Sequence, residues 1–248
     1  IKEAVRIVDA AREKGIVLRI LGAIAVRIHS KGFEDFHKRL GRLGGSEKSF
    51  TDIDFIAYSA QRGDIRKLME KELSFNISRQ FLLLYGKERL VYYHPQNLYH
   101  VDIFFDKLAF SHDIPFGKLG KGRLELDYPT ITVTDLLLEK LQIHQINEKD
   151  IKDIIVLLKA HDLGNEDNDM INVDYLSQLI GDDWGFWMDA IENLRKTLAF
   201  AKRYRDESLL SDSDLNEIEK KIMEIVQAVE DEGGAIEAIR KGWMQRLI

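Results

Sequence analysis

At 248 residues the chain is long enough for one large domain, or for a core with a smaller attachment. Apolar residues make up 45% and charged residues 31%, which excludes a disordered or membrane class, and no run approaches the roughly 18–20 uninterrupted apolar residues of a membrane helix. Zero cysteines exclude a disulfide framework, a thiolate zinc site and cysteine catalysis, and agree with a cytoplasmic protein, while a net charge of −6 argues against indiscriminate nucleic-acid binding. Because the chain begins at Ile1 rather than Met, processing or trimming of an earlier segment is the expectation.

From Ile1 to Glu13 the apolar residues Ile1, Ala4, Val5, Ile7, Val8 and Ala11 form a helical stripe, which Gly15 stops. Val17–Leu21 reads as a short buried strand, and Gly22 opens a helix through Ser30. A second strand is expected over Phe50–Tyr58 and a helix over Asp64–Leu73, followed by three strand-like runs, Gln80–Tyr85, Arg89–His94 and Tyr99–Phe105. Strand, helix, strand and then strands at hairpin spacing imply a mixed sheet carrying helices. All three prolines, Pro95, Pro115 and Pro129, lie before residue 130, and the remainder reads as helical. Thr132 stands three before Asp135 in a capping-box-like arrangement, and Leu136, Leu137, Lys140, Leu141 and His144 are expected on one helix face. The stretch from Asp162 to Asp183 holds seven acids and no Lys or Arg, and reads as a solvated connector with short structure. An appended bundle follows, with Ser211 and Ser213 as caps for a helix to about Glu230 and Trp184 and Trp187 in its core. The expected division is a core over 1–130 and a helical region over 131–248.

Chemistry concentrates in the aspartates. Asp-x-Asp occurs three times, and Asp167/Asp169 and Asp212/Asp214 lie in polar surroundings that suit surface acids or helix caps. The pair in Thr51-Asp52-Ile53-Asp54-Phe55 differs because the run is strand-like. Alternation puts both carboxylates on one face about 6–7 Å apart. They repel, and need either a raised pKa or a compensating charge, which a hard divalent cation supplies. An exposed polar face at a strand edge is the alternative. In Tyr99-His100-Val101-Asp102-Ile103-Phe104, Asp102 stands alone in an apolar run, costly unless coordinated or hydrogen-bonded; an edge-strand Asp facing water is its plainer reading. Were this strand beside the first, three acids would converge on a pair of metal ions able to support in-line phosphoryl chemistry. Gly22, in Leu21-Gly22-Ala23-Ile24, sits at a strand-to-helix turn where backbone N–H groups can meet an anion, although such a glycine more often marks a tight turn.

That order resembles the nucleotidyltransferase superfamily, with its DNA polymerase beta-like fold, and more narrowly the abortive-infection type nucleotidyltransferase toxins. The resemblance spans roughly residues 15–160. It implies an α/β (α+β) fold, a mixed sheet flanked by helices and followed by a helical C-terminal region. It also implies a catalytic set of Asp52, Asp54 and Asp102 binding Mg²⁺, two ions being expected and Mn²⁺ an alternative. Gly22 and Ala23 take the nucleotide-contacting turn, Lys140 the helix lysine, and Lys149-Asp150 the later Lys-Asp pair. The implied reaction moves a nucleoside monophosphate from an NTP such as ATP to an acceptor hydroxyl of RNA, a protein or a small molecule, releasing pyrophosphate. A catalytically silent nucleotide- or partner-binding member of the fold, or a metal-dependent phosphohydrolase, is the alternative. Ala23 departs from the family's usual Gly or Ser, which removes a hydroxyl contact. The long gap to Asp52 carries Lys31, Lys38, Arg39, Arg42 and Lys48, readable as a polyphosphate or RNA groove or as a mobile loop around Gly41, Gly44 and Gly45. From its own position, Lys140 is either a phosphate clamp or a snorkelling side chain that Asp150 holds in place.

Overall fold

The apolar stripe Ala4, Ile7, Val8 and Ala11 becomes the buried face of helix α1 (Lys2–Arg12), and Gly15, at φ +70°, turns the chain out of it. The computed structural model describes residues 1–42 and 52–244, with residues 233–244 described by backbone alone. Strand β1 (Leu18–Ile20) and α2 (Gly22–His29) follow, then α3 (Glu34–Arg39), β2 (Asp52–Ala57) and α4 (Arg62–Lys67) with a π turn over Leu68–Glu72. Next come β3 (Asn76–Ile77), α5 (Arg79–Tyr85), β4 (Arg89–Tyr93) and β5 (His100–Phe105). The hairpin β6 (Lys107–Ala109) and β7 (Asp113–Pro115) precedes α6 (Val133–Leu141), α7 (Glu148–Ala160), β8 (Leu163–Gly164), β9 (Ile171–Asn172), α8 (Val173–Gly181), α9 (Trp184–Asp206) and α10 (Asp212–Met244). The class is mixed α/β: one mixed sheet, flanking helices and a helical C-terminal region, as the sequence leads one to expect. No helix among the described residues is long and apolar enough to cross a membrane.

The chain divides into two units. The first comprises Ile1–Lys31, Leu43–Ala109 and Asp113–Thr132; the second comprises Gly32–Arg42, Phe110–His112 and Val133–Ile248. One boundary therefore falls between residues 132 and 133, and two short segments of the N-terminal half group with the helical unit.

The first unit is built on a five-stranded sheet of order β1-β2-β5-β4-β3. β2 and β5 run parallel, and every other neighbouring pair is antiparallel. Val101, Ile103, Phe55, Ile56 and Leu90 are buried along the central three strands, so their near-continuous apolar runs are the signature of strands covered on both faces. On the outer edge of β1, Ile20 N–H donates to the Pro129 carbonyl at 3.0 Å and the Ile20 carbonyl accepts from Ile131 N–H at 3.1 Å, a parallel bridge to Thr130. Gln80–Tyr85, expected as a strand, is the helix α5. Ser78 caps it by accepting from Phe81 N–H, Gly86 closes it, and the Leu-rich run lacks the polar alternation of a half-buried strand.

In the second unit α6 is buried along its whole length, from Val133 to Leu141. His144 lies beyond its end with its side chain 73% exposed, so it does not share the face of Leu137 and Leu141. Asn147 caps α7 by accepting from Lys149 and Asp150 N–H, and Asn172 and Asp183 cap α8 and α9. The acidic stretch is more than a connector. It contains α8, which buries Leu176 and Ile180, and its acids stay on the outside or cap helices. Ser211 caps α10, with Asp214 reaching back to the Ser211 N–H in a capping box, whereas Ser213 lies inside the helix, which continues to Met244. Trp184 is 45% exposed and Trp187 half-buried, and Phe186 between them is the buried ring at the start of α9, stacked on His112.

Ile103 sits at the centre of the sheet with no exposed surface. Ile103→Ala is expected to lower the unfolding free energy by about 2–5 kcal/mol through lost burial and a residual cavity, read from the midpoint of urea denaturation.

Candidate active site

The parallel register of β2 and β5 pairs Asp52 with His100 and Asp54 with Asp102. Directly opposed residues of neighbouring strands share a face, and successive residues alternate. Asp52, Asp54 and Asp102 therefore stand on one face of the sheet, with Asp54 and Asp102 side by side across a strand spacing of about 4.8 Å. Ile53, Val101 and Ile103 point the other way and are buried. The polar character of the three positions is thus confined to one end of one face.

Gly22 lies against this face. The Leu21 N–H donates to the Asp54 carbonyl at 3.0 Å, which ties the turn between β1 and α2 to the Asp54 backbone. Gly22 itself has φ +69°, and a Cβ there would lie 3.1 Å from Asp54 Oδ2. Glycine is needed twice over, for the left-handed backbone and for the close approach. The first turn of α2 thus meets the Asp54 carboxylate with no intervening side chain at residue 22, the backbone geometry that lets helix N–H groups receive an anion. Ala23 follows within the same turn and is half-buried.

The electrostatics of the acids differ from one to the next. Asp52 is half exposed, and its Oδ1 lies 3.2 Å from His100 Nδ1. Asp102 is buried, and Arg89 from β4 grips it with two parallel bonds, Nε to Oδ1 and a terminal nitrogen to Oδ2, both 3.1 Å. Burial pushes the Asp102 carboxyl above its ordinary pKa, against the downward pull of Arg89 and His100. The guanidinium is held in turn by two rings, 5.4 Å from Phe104 and 5.6 Å from Phe81. Arg89 does not stand out in the sequence as a site residue, and His100 lacks the helical pairing that would mark it as a metal ligand. The available signal is weak: Arg89 opens an apolar strand and Asp102 interrupts one, but their meeting depends on an antiparallel register that the sequence does not display.

The donor set suits a hard divalent cation. Three carboxylates offer oxygen ligands on one face, with the His100 imidazole beside Asp52, and the sequence holds no cysteine to supply a thiolate. The Arg89 guanidinium already neutralises one of the three.

Lys140, Lys149 and Asp150 belong to the second unit. There the Lys140 ammonium, its side chain 7% exposed, lies 3.0 Å from Asp150, 3.4 Å from Glu139 and 3.6 Å from Asp153. Burial alone would favour the neutral amine, but the three carboxylates outweigh it and hold the lysine charged. Asp150 does hold Lys140, and it also accepts from Asn147 Nδ2 at 2.6 Å. Lys149 is exposed, its backbone N–H bound to Asn147. Of the basic stretch, Arg42 makes a bidentate pair with the buried Asp153 at 2.6 and 2.9 Å, and Arg39 donates to the Leu209 carbonyl and lies 3.7 Å from Asp214. Lys31 and Lys38 are exposed, whereas Lys48, Gly44 and Gly45 fall outside the described residues.

Comparison with protein-family models, with curated proteins and with solved structures finds no match.

Two substitutions test this geometry. Gly22→Ala is expected to cost about 1–2 kcal/mol for the left-handed backbone alone, measured by urea denaturation. Lys140→Met leaves buried carboxylates with one cation fewer and is expected to cost about 3–5 kcal/mol, read as a clear fall in melting temperature.

Proposed function

We propose that the first unit is the catalytic core of a metal-dependent nucleotidyltransferase, which moves a nucleoside monophosphate from an NTP to an acceptor hydroxyl and releases pyrophosphate. The observation that carries this reading is the juxtaposition of Asp54 with Asp102 in parallel register, with the Gly22 turn packed on Asp54. Asp52, Asp54 and Asp102 would hold Mg²⁺. When bound, the metal would neutralise charge on the entering and leaving oxygens of an in-line displacement.

The chain's own part is positional. The N–H groups of Gly22 and Ala23, at the start of α2, donate to phosphate oxygens, and the helix dipole favours the negative charge there. The absence of a side chain at residue 22 lets the polyphosphate approach the carboxylates. Ala23 contributes its backbone alone, since it carries no hydroxyl. Ile53 and Ile103, buried behind the site, fix the two strands so that the carboxylates cannot spread apart on repulsion. Lys140 is given no substrate contact in this reading, because three carboxylates of its own unit take up its charge.

One observation favours a second reading, a nucleotide-binding module without turnover: Arg89 already pairs with the third carboxylate. Incubation of the protein and Mg²⁺ with α- and γ-labelled NTPs, and with RNA, protein or small-molecule acceptors, separates the two. Transfer of the α-label to an acceptor is expected in the wild type. It should fall at least a thousandfold in Asp54→Asn, with an unchanged circular dichroism spectrum. Release of inorganic phosphate without transfer would point to a phosphohydrolase. Nucleotide binding with neither product would establish the silent module, and unchanged transfer by Asp54→Asn would remove the site assignment.

A further inference from the structure

The Arg89–Asp102 pair has more order than a surface salt bridge. Both guanidinium bonds are in place at 3.1 Å, the Asp102 side chain is 9% exposed, and the Arg89 side chain 33%. Phe104 and Phe81 flank the guanidinium. Asp102 is also the carboxylate set directly opposite Asp54. A divalent ion shared by Asp54 and Asp102 would draw on the same Asp102 oxygens that Arg89 bonds. Each oxygen keeps a second lone pair, but the two cations share one negative charge and repel each other across it.

We propose that Arg89 is a built-in counter-ion that competes with the divalent cation for Asp102 and so sets the metal affinity of the site. The proposal rests on the metal-binding reading above. In the absence of metal, Arg89 supplies the counter-charge to Asp102 in an apolar strand beside two other acids. With metal present, the guanidinium and the ion draw on the same carboxylate charge, so binding of the ion weakens the hold of Arg89 on Asp102. The ion alone therefore binds weakly. Polyphosphate strengthens its binding in two ways, by adding oxygen ligands and by offering the displaced guanidinium an anion of matching bidentate geometry. Arg89 acts through Asp102 and is a positioning residue. Its effect on metal affinity is opposite in sign to that of a residue that merely supports the fold.

The sign provides the test. Mn²⁺ binding is followed by loss of the free-ion electron paramagnetic resonance signal, in the wild type and in Arg89→Gln, Arg89→Lys and Asp54→Asn. Arg89→Gln removes one positive charge from beside the ligand set and is expected to bind Mn²⁺ at least about tenfold more tightly. Arg89→Lys, which keeps the charge but loses the planar fork, is expected to fall between the two; it is the variant to rely on if the glutamine form fails to fold. Melting temperature gives a second readout. Without metal Arg89→Gln should melt below the wild type, and Mn²⁺ should raise its melting temperature by more than it raises that of the wild type. Unchanged or weaker Mn²⁺ binding by both Arg89 variants, with binding still lost in Asp54→Asn, would overturn the proposal and leave the metal site standing. No Mn²⁺ binding by any of the proteins, or binding indifferent to Asp54→Asn, would overturn both.

Discussion

Like charges set side by side on a β-sheet are the constraint on which the candidate site depends. Asp54 and Asp102 face one another across a parallel strand pair, with Asp52 one step along the same face. Their repulsion grows as burial lowers the local dielectric, and at Asp102 burial is nearly complete. Such an arrangement persists only where a cation answers it. Arg89 meets that need for one acid and His100 stands beside another. The apolar packing on the reverse face, through Ile53, Val101 and Ile103, holds the strands in the register that creates the problem. Packing energy from the core thus maintains an unfavourable cluster of charge, as is common where a fold keeps a binding site preorganised.

The second unit solves a similar problem differently. The acids Glu139, Asp150 and Asp153 gather around Lys140, and Asp153 also pairs with Arg42, in a network of ion pairs within the unit. Lys140 sits on the buried helix α6, and Asp150 and Asp153 on the capped helix α7, so removal of the lysine leaves both acids short of a cation. The contrast between the two clusters distinguishes the proposed site from a brace. The aspartates of the first unit lie beside a backbone turn without a side chain, with Arg89 on Asp102. Around Lys140 the cations and anions interlock.

Much of the fold was legible because its signals are local. The stripe of α1, the strand β2, the Gly22 turn and the apolar run of β5 follow from period and punctuation. Gln80–Tyr85 was not, since Phe and Tyr favour strands while the Leu run between Ser78 and Gly86 favours a helix; the Ser78 cap decides it. At the site, the three carboxylates and Gly22 could be singled out from alternation and turn chemistry. Their shared face depended on a parallel pairing of β2 with β5, a long-range property that no window of sequence contains. Arg89 was missed for the same reason, because it meets Asp102 through the register of β4 on β5. His144 looked like the next residue on the α6 face, yet the helix closes at Leu141 and the periodicity stops having meaning there.

Anomalous diffraction at the manganese edge tests the central claim most directly, using crystals grown with Mn²⁺ and a non-hydrolysable nucleoside triphosphate. The account predicts an anomalous peak ligated by Asp54 and Asp102, with phosphate oxygens on the α2 side against Gly22 and the Arg89 guanidinium turned away from Asp102. A peak elsewhere in the molecule, with Arg89 still paired to Asp102 and no ion between the two carboxylates, would contradict it.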